Sequence, residues 1–272
     1  MYSVSSWMFI ISTVLYFFLK YRRNKAIYSK IKDGGEITSY DLYDSLIYVY
    51  FLIYFVTIFS LSYGENLLTL STTCQDNDMN YITVIYACFC GWVLIFLVMV
   101  GVIYFTSGPK INIVAGFSDI FGYYGVSTET NNIFSKILYA TSNLKTRLKN
   151  ENSAALETAA ETIMKTANSY DLFINKITPF NFTEWWDKLN PLKRDEADQF
   201  KENLFYQVLL RHNIGECFWY IYTGIFVCAF ISYLVLKSNC VTSMKELGEQ
   251  MMDVPTPNSG GPNTSIKDYE TL

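Results

Sequence analysis

YITVIYACFCGWVLIFLVMVGVIYF, from Tyr81 to Phe105, runs for 25 residues without one Asp, Glu, Lys, Arg or His. A helix needs about 20 predominantly apolar residues to cross roughly 30 Å of hydrocarbon, and this stretch meets that alone. Working outward, Leu42 to Tyr63 and Ile214 to Leu236 satisfy the same condition with no charge in the middle. A fourth run, Val4 to Leu19, is shorter. It suits a thin or pinched bilayer, with Ser5, Ser6, Tyr16 and Lys20 at the interfaces and Lys20 snorkelling. No Lys or Arg precedes that run and no small-residue cleavage site follows it, which argues for a span over a signal peptide. The composition agrees: 51% apolar residues, 17% aromatics and a mean hydropathy of +0.16 are high for a soluble chain.

The expected fold is therefore all-α, a four-helix transmembrane protein with a helical extramembrane domain inserted between spans three and four. Residues 1–105 carry three spans, with a basic loop at 20–41 and an acidic loop at 64–80. The inserted domain occupies 106–213 and includes an interfacial segment at 111–126. The fourth span is 214–236, and 237–272 forms a flexible tail. Lys20, Arg22, Arg23, Lys25, Lys30 and Lys32 crowd the first loop, whereas the second holds Glu65, Asp76 and Asp78 without a base. By the positive-inside rule the first loop is cytoplasmic, which places the inserted domain there and the tail outside. Twelve bases against twelve acids in 106–213 leave that block neutral on the question. Trp7, Trp92, Trp219 and Tyr220 are candidates for anchoring the spans at the bilayer interfaces.

Cys88, Cys90, Cys217 and Cys228 fall inside spans and read as small buried hydrophobes. Cys74 and Cys240 fall just beyond spans on the outer side, where they form either a disulfide or two free thiols. Asn181-Phe182-Thr183 and Asn263-Thr264-Ser265 are glycan acceptors on opposite sides of this topology, so glycan at Asn181 would invert it.

Within the inserted block, Ser107-Gly108-Pro109 breaks the third helix, and Gly116, Gly122 and Gly125 punctuate a stretch too short to span. Phe117, Ile120, Phe121, Tyr123 and Tyr124 suit the boundary between headgroups and tails. An amphipathic helix is expected from about Thr130, with Ile133, Ile137, Leu144 and Leu148 on one face and Lys136, Lys145, Arg147 and Lys149 elsewhere. The Ala-rich run 152–177 favours helix until Pro179, its apolar stripe including Leu156 and Ile163. Thr183 can cap a short helix bearing Glu184, Trp185, Trp186 and Asp187, and Pro191 begins a last helix that leads directly into the fourth span. Trp185 and Trp186 serve either as interface anchors or as the core of the small domain. The Pro-, Gly- and Ser-rich tail cannot bury enough apolar surface to order itself.

Chemistry finds few candidates. No phosphate loop, nucleophile elbow, zinc helix or deaminase set occurs, so no catalytic residue, cofactor or metal ligand is expected. Glu216, beside Trp219 and Tyr220, is the ionisable group worth watching, because near a span it needs a partner; Arg211 or His212 is the nearest in sequence. Phe121-Gly122-Tyr123-Tyr124-Gly125 is close to the Gly-Tyr-Gly of a potassium filter, but Ser118, Asp119 and Ile120 lack the Thr-Val approach.

Arg211-His212-Asn213-Ile214-Gly215-Glu216, followed by Trp219-Tyr220, Thr223-Gly224-Ile225, Ile231-Ser232-Tyr233 and Asn239-Cys240, resembles the C-terminal membrane segment of a family of virion membrane proteins. These are structural proteins, minor capsid or inner-membrane components, of large icosahedral nucleocytoplasmic DNA viruses of algae and protists. Phe117-Ser118-Asp119, Phe121-Gly122-Tyr123, Asn131-Asn132 and Ile177-Thr178-Pro179 leading to Asn181-Phe182-Thr183-Glu184-Trp185-Trp186 look like further stations of the pattern, which covers 111–240. The resemblance implies a non-enzymatic protein of the virion inner membrane that links the bilayer to the capsid shell. Its implied partners are lipid, other minor capsid proteins or the major capsid protein, and further copies in an array, with no nucleic acid. Trp185, Trp186, Leu156 and Ile163 are then the candidate contacts. A channel or transporter subunit of viral or protist origin is the alternative.

Overall fold

The structure, a computed structural model, describes residues 4–31, 44–73, 81–106, 114–138 and 174–237. The described secondary structure is helical apart from one isolated bridge between Leu138 and Lys193. Helix α1 spans Val4–Ile31 and α2 Ser45–Thr73. Then α3 (Tyr81–Phe89), a π-helical stretch Cys90–Phe96 and α4 (Leu97–Thr106) follow without a break. A second composite helix is built from α5 (Ala115–Phe117), a π-helical stretch Ser118–Gly122 and α6 (Tyr123–Ile137). Short α7 (Phe182–Lys188) and two 3-10 turns lead to α8, 37 residues from Lys201 to Lys237. Three helical stretches, Ser45–Thr72, Tyr81–Ile103 and Ala197–Lys237, are long and apolar enough to cross a membrane.

Two helix ends differ from the sequence reading. The basic stretch after Lys20 continues α1 to Ile31, because Tyr28 stacks on Phe205 at 3.8 Å and Lys25 lies over the Tyr206 ring at 4.3 Å. Residues 64–73 continue α2 as helix, where Thr69 and Thr72 return their hydroxyls to the carbonyls of Glu65 and Thr69. The glycine-rich 115–126 is also helical throughout.

The contacts fix an alternating arrangement. α1 is antiparallel to α2, with Arg23 beside Asp44 and Thr13 beside Tyr54. It is antiparallel to α8 as well, with Tyr28 on Phe205 and Phe9 against Gly224. The α3–α4 rod is antiparallel to α8, since Gly91 meets Ile231 and Met99 accepts a hydrogen bond from Trp219. Inside this four-helix bundle lies an aromatic core. Tyr16 stacks on Tyr54 at 5.0 Å, while Phe17 and Phe96 meet Tyr220 edge-on at 4.8 and 5.6 Å. The wide π turn at 90–96 directs Trp92 and Phe96 inward, both almost fully buried. Outward, α1 exposes Trp7, Met8, Ile11, Val14, Leu15 and Phe18, α2 exposes Leu52, Ile53 and Val56, and α8 exposes Ile225 and Phe226. An apolar outer surface of this extent suits lipid rather than water.

A second core sits at the far end of α8. Ile133, Phe134 and Ile137 of α6, Phe182 and Trp186 of α7, Leu192, and Leu204, Phe205 and Val208 of α8 close around one another. Arg194 ties the strand-like link to the end of α6, donating its backbone N–H to Ile137 O at 2.8 Å and its Nε to Leu138 O at 3.0 Å. The module is therefore assembled from the insertion, the basic end of α1 and the first turns of α8.

Between the two cores the composite helix 115–137 lies along α8 at very short range. A Cβ built on Gly122 would fall 2.4 Å from the Arg211 carbonyl oxygen, and one on Gly215 would fall 2.8 Å from Ser118 Cα. Ser118 and Gly122 are four apart, the small-residue spacing that lets helix backbones approach, and Gly215 answers them on α8. Backbone cannot yield to a methyl group, so Gly122→Ala is expected to destabilise the protein by about 1–3 kcal/mol. A methyl at Gly116 meets nothing within 4 Å. Gly116→Ala should instead be neutral or stabilise by up to ~1 kcal/mol. Thermal unfolding of the two variants in detergent checks this, and equal midpoints would remove the close crossing.

Candidate functional site

Residues 211–216 of α8 reach in three directions. Arg211 is 1% exposed although it lies on the long helix near the membrane segment. Its Nη1 donates to Asn175 Oδ1 at 2.7 Å and lies 3.4 Å from Asp119 Oδ1, and its Nη2 donates to Ile177 O at 2.8 Å. One guanidinium thus joins α8, the π turn at 118–122 and the chain leading into α7. A rigid five-donor fork is suited to that; a single lysine ammonium is not. Burial pushes the Asp119 carboxyl above the usual carboxylate range, and the Arg211 charge opposes that shift.

Two residues further on, Asn213 donates its side-chain amide to Phe17 O in α1 at 2.9 Å. Gly215 receives Ser118, and Glu216 turns toward α1. There its Oε2 meets Lys20 Nζ at 2.6 Å, the two side chains being 3% and 4% exposed. His212, one turn earlier on the same face, places Nε2 3.7 Å from Glu216 Oε1. The Phe180 ring stands edge-on to the imidazole at 5.6 Å. Lys20, Asn24, Phe180, Leu209, His212, Asn213 and Glu216 line a cavity of about 10 Å³.

This is not how the sequence places Lys20 or Glu216. Lys20 does not snorkel: it is 3% exposed and turned into the bundle, because Glu216 would otherwise be a buried anion without a cation. Arg211 is not the partner of Glu216. Five residues along a helix is about 140° around it, so the two side chains leave on different faces. The partner lies 196 positions away on an antiparallel helix. A buried glutamate beside a span is the available signal; of the two neighbours it suggests, His212 does face Glu216 at 3.7 Å, but the cation at contact distance is Lys20, which no local spacing names.

The interface candidates separate. Trp7 is 60% exposed on the outer face of α1, and Trp219 is half-buried with Nε1 donating to Met99 O at 3.3 Å. Trp92 and Tyr220 are corrected from anchors to core, since they are 1% and 2% exposed inside the aromatic cluster and present no ring to lipid. Trp186, 3% exposed, is likewise core of the module, sandwiched against Phe182 and covered by Lys193 Nζ at 4.1 Å from its ring. Burial holds that lysine's pKa below the usual range, while Asp198 opposes the shift. Trp185 is half-buried against the same cluster. Leu156, Ile163, Cys74 and Cys240 lie outside the described residues. Cys88, Cys90, Cys217 and Cys228 are free thiols. Among the described residues no group of three His, Cys, Asp or Glu side chains could hold a metal ion.

Comparison with protein-family models, with curated proteins and with solved structures gives no match.

The geometry of the ion pair and of the tryptophans generates two expectations. Lys20→Met or Glu216→Leu alone leaves an uncompensated buried charge and should cost about 3–5 kcal/mol, whereas the double variant should fall within ~1 kcal/mol of the parent. Denaturant titration of the four proteins in detergent gives the coupling, and additive losses would refute it. Trp186→Ala should cost about 3–5 kcal/mol as a core truncation, and Trp185→Ala well under half of that. The same titration measures both.

Proposed function

We propose that this chain is a membrane-anchored structural protein of a virion, a minor capsid component that links the inner membrane to an icosahedral shell. One observation carries the mechanical part of this reading. A single uninterrupted helix, α8, passes from the centre of the module into the centre of the bundle, and residues 211–216 fasten it on three sides where it does so. At 1.5 Å per residue its 37 residues reach roughly 55 Å, about twice the hydrocarbon thickness. Residues 214–236 serve as anchor, and residues 201–213 carry the module, buried among α1, α6 and α7.

Four crossings fit this arrangement. The outward stripe of α1 is apolar from Trp7 to Phe18 and basic at Arg22 and Lys25, the change of polarity expected where a helix leaves the acyl region for the headgroups. Along the composite helix, Ile120, Phe121 and Tyr124 are exposed and lead to exposed Thr128, Asn131 and Asn132, so its first turns enter the interface while α6 rises from it. The module then sits on the basic, cytoplasmic side during assembly. The viral setting and the partners, namely the bilayer, other minor capsid proteins or the major capsid protein, and neighbouring copies of this chain, rest on the sequence resemblance. An array would make weak individual contacts sufficient.

The test is location. A subnanometre map of the particle should place four rods in the inner membrane and the helical module in the gap below the shell, joined by one continuous rod. Finding the folded chain only in a cell membrane, absent from particles, would overturn the reading. Purified protein in a planar bilayer is expected to pass no current, and reproducible unitary conductance would favour a channel.

A further inference from the structure

Three polar atoms beside the Lys20–Glu216 pair have no hydrogen-bond partner among the described residues: Asn24 Oδ1, Asn213 Oδ1 and His212 Nε2. They belong to two helices, α1 and α8, and to residues 3%, 6% and 5% exposed respectively. All three residues line the same cavity of about 10 Å³, together with the two ends of the ion pair. Leaving a buried polar atom unmade costs about 1–3 kcal/mol, so three in one place form an arrangement that folding would not tolerate unless something answered them.

We propose that this cavity is a binding site for one water molecule, which completes the fastening between α1 and α8. Size and chemistry select that ligand. About one probe sphere of room admits a single water and excludes any larger solute, and a buried water characteristically makes about three hydrogen bonds to otherwise unsatisfied groups. The orphan set matches a water's own capacity. Its two hydrogens go to Asn24 Oδ1 and Asn213 Oδ1, which can only accept, and its oxygen accepts from His212 Nε2–H. A metal ion is poorly served by the same atoms, because the Lys20 ammonium stands within the lining and would repel it. The arrangement assigns a proton as well as a water, since Nε2 of His212 must carry a hydrogen to donate to it. Phe180, edge-on to the ring, lines the cavity beside it.

His212 is the only histidine in the chain, so histidine labelled with nitrogen-15 yields a single spin system. In proteoliposomes, solid-state NMR should show the Nε2–H tautomer, with magnetisation passing from water to that hydrogen. The signal should survive Mn²⁺ added to the buffer, because the three residues that hold the water are at most 6% exposed. Asn24→Leu, which keeps the volume and removes the acceptor, should cut the transfer several-fold, while Asn24→Asp, which keeps an acceptor oxygen, should retain it. The Nδ1–H tautomer, or no transfer from water in the parent protein, would overturn the proposal. So would loss of the signal with Mn²⁺, which would put His212 in open solvent. If Asn24→Leu does not fold, the tautomer and the transfer in the parent protein decide the matter.

Discussion

A carboxylate buried in α8 at Glu216 is the constraint from which the relative placement of the helices follows. An ionised group that leaves water must find its counter-charge at contact distance, and Lys20 supplies it at 2.6 Å from another helix. Sliding α1 by one residue would move Lys20 about 1.5 Å along the axis and 100° around it, out of reach of Glu216. The same slip would lift Phe9 from the gap at Gly224 and Tyr28 from the face of Phe205. Those contacts lie on opposite sides of the pair, one deep in the bundle and one in the module. A pair of this kind adds little net free energy compared with apolar side chains of equal volume, so its effect is on register: it makes one alignment of α1 and α8 far better than its neighbours.

Register along α1 would leave the insertion free if nothing else held it. Arg211 supplies the second constraint, because its hydrogen bonds to Asn175 and Ile177 and its ion pair with Asp119 bind segments separated by more than fifty positions to one point on α8. Gly122 and Gly215 allow the backbones to come close enough for those bonds to form. The three faces of residues 211–216 therefore act together, and a force applied to the module passes into the bundle through helix and hydrogen bonds rather than through a loop.

The apolar runs were legible because a span carries its own signal in length and hydropathy, and the helical class followed directly. The ends were not. Residues 21–31 are basic, and only the stacking of Tyr28 on Phe205 and of Lys25 on Tyr206, both long-range, explains why the helix goes on there. Residues 115–126 contain three glycines, which lower helix propensity, so the sequence places this stretch at the interface without fixing its conformation; packing along α8 makes it helix, and the close approach there requires Gly122. Trp92 and Tyr220 have the composition of an interface belt and the geometry of a core, a distinction set by which face of each helix meets its neighbours. Glu216 announced a need for a cation, but its partner belongs to another helix, and no spacing rule reaches that far.

Conduction and anchorage make different demands on the centre of a bundle. A pore for ions needs polar or backbone groups at successive levels so that lost hydration is replaced throughout. Here the fastening at Lys20, Asn24, His212, Asn213 and Glu216 is polar, but from that level toward the start of α1 the centre is filled by Phe17, Tyr220, Phe96, Phe9 and Trp92, all buried and packed ring to ring. The polar cluster is thus capped by aromatic rings on its membrane side and by Phe180 and Leu209 on its module side. Opening a path would mean separating α1 from α8, which breaks the ion pair, the Asn213 bond to Phe17 and the Tyr28 stack together. Those are also the contacts that join the module to the bundle, so an opened bundle would loosen the one from the other. Relative motion of these helices would cost all of those contacts at once, which favours the anchoring role proposed above over a gated path.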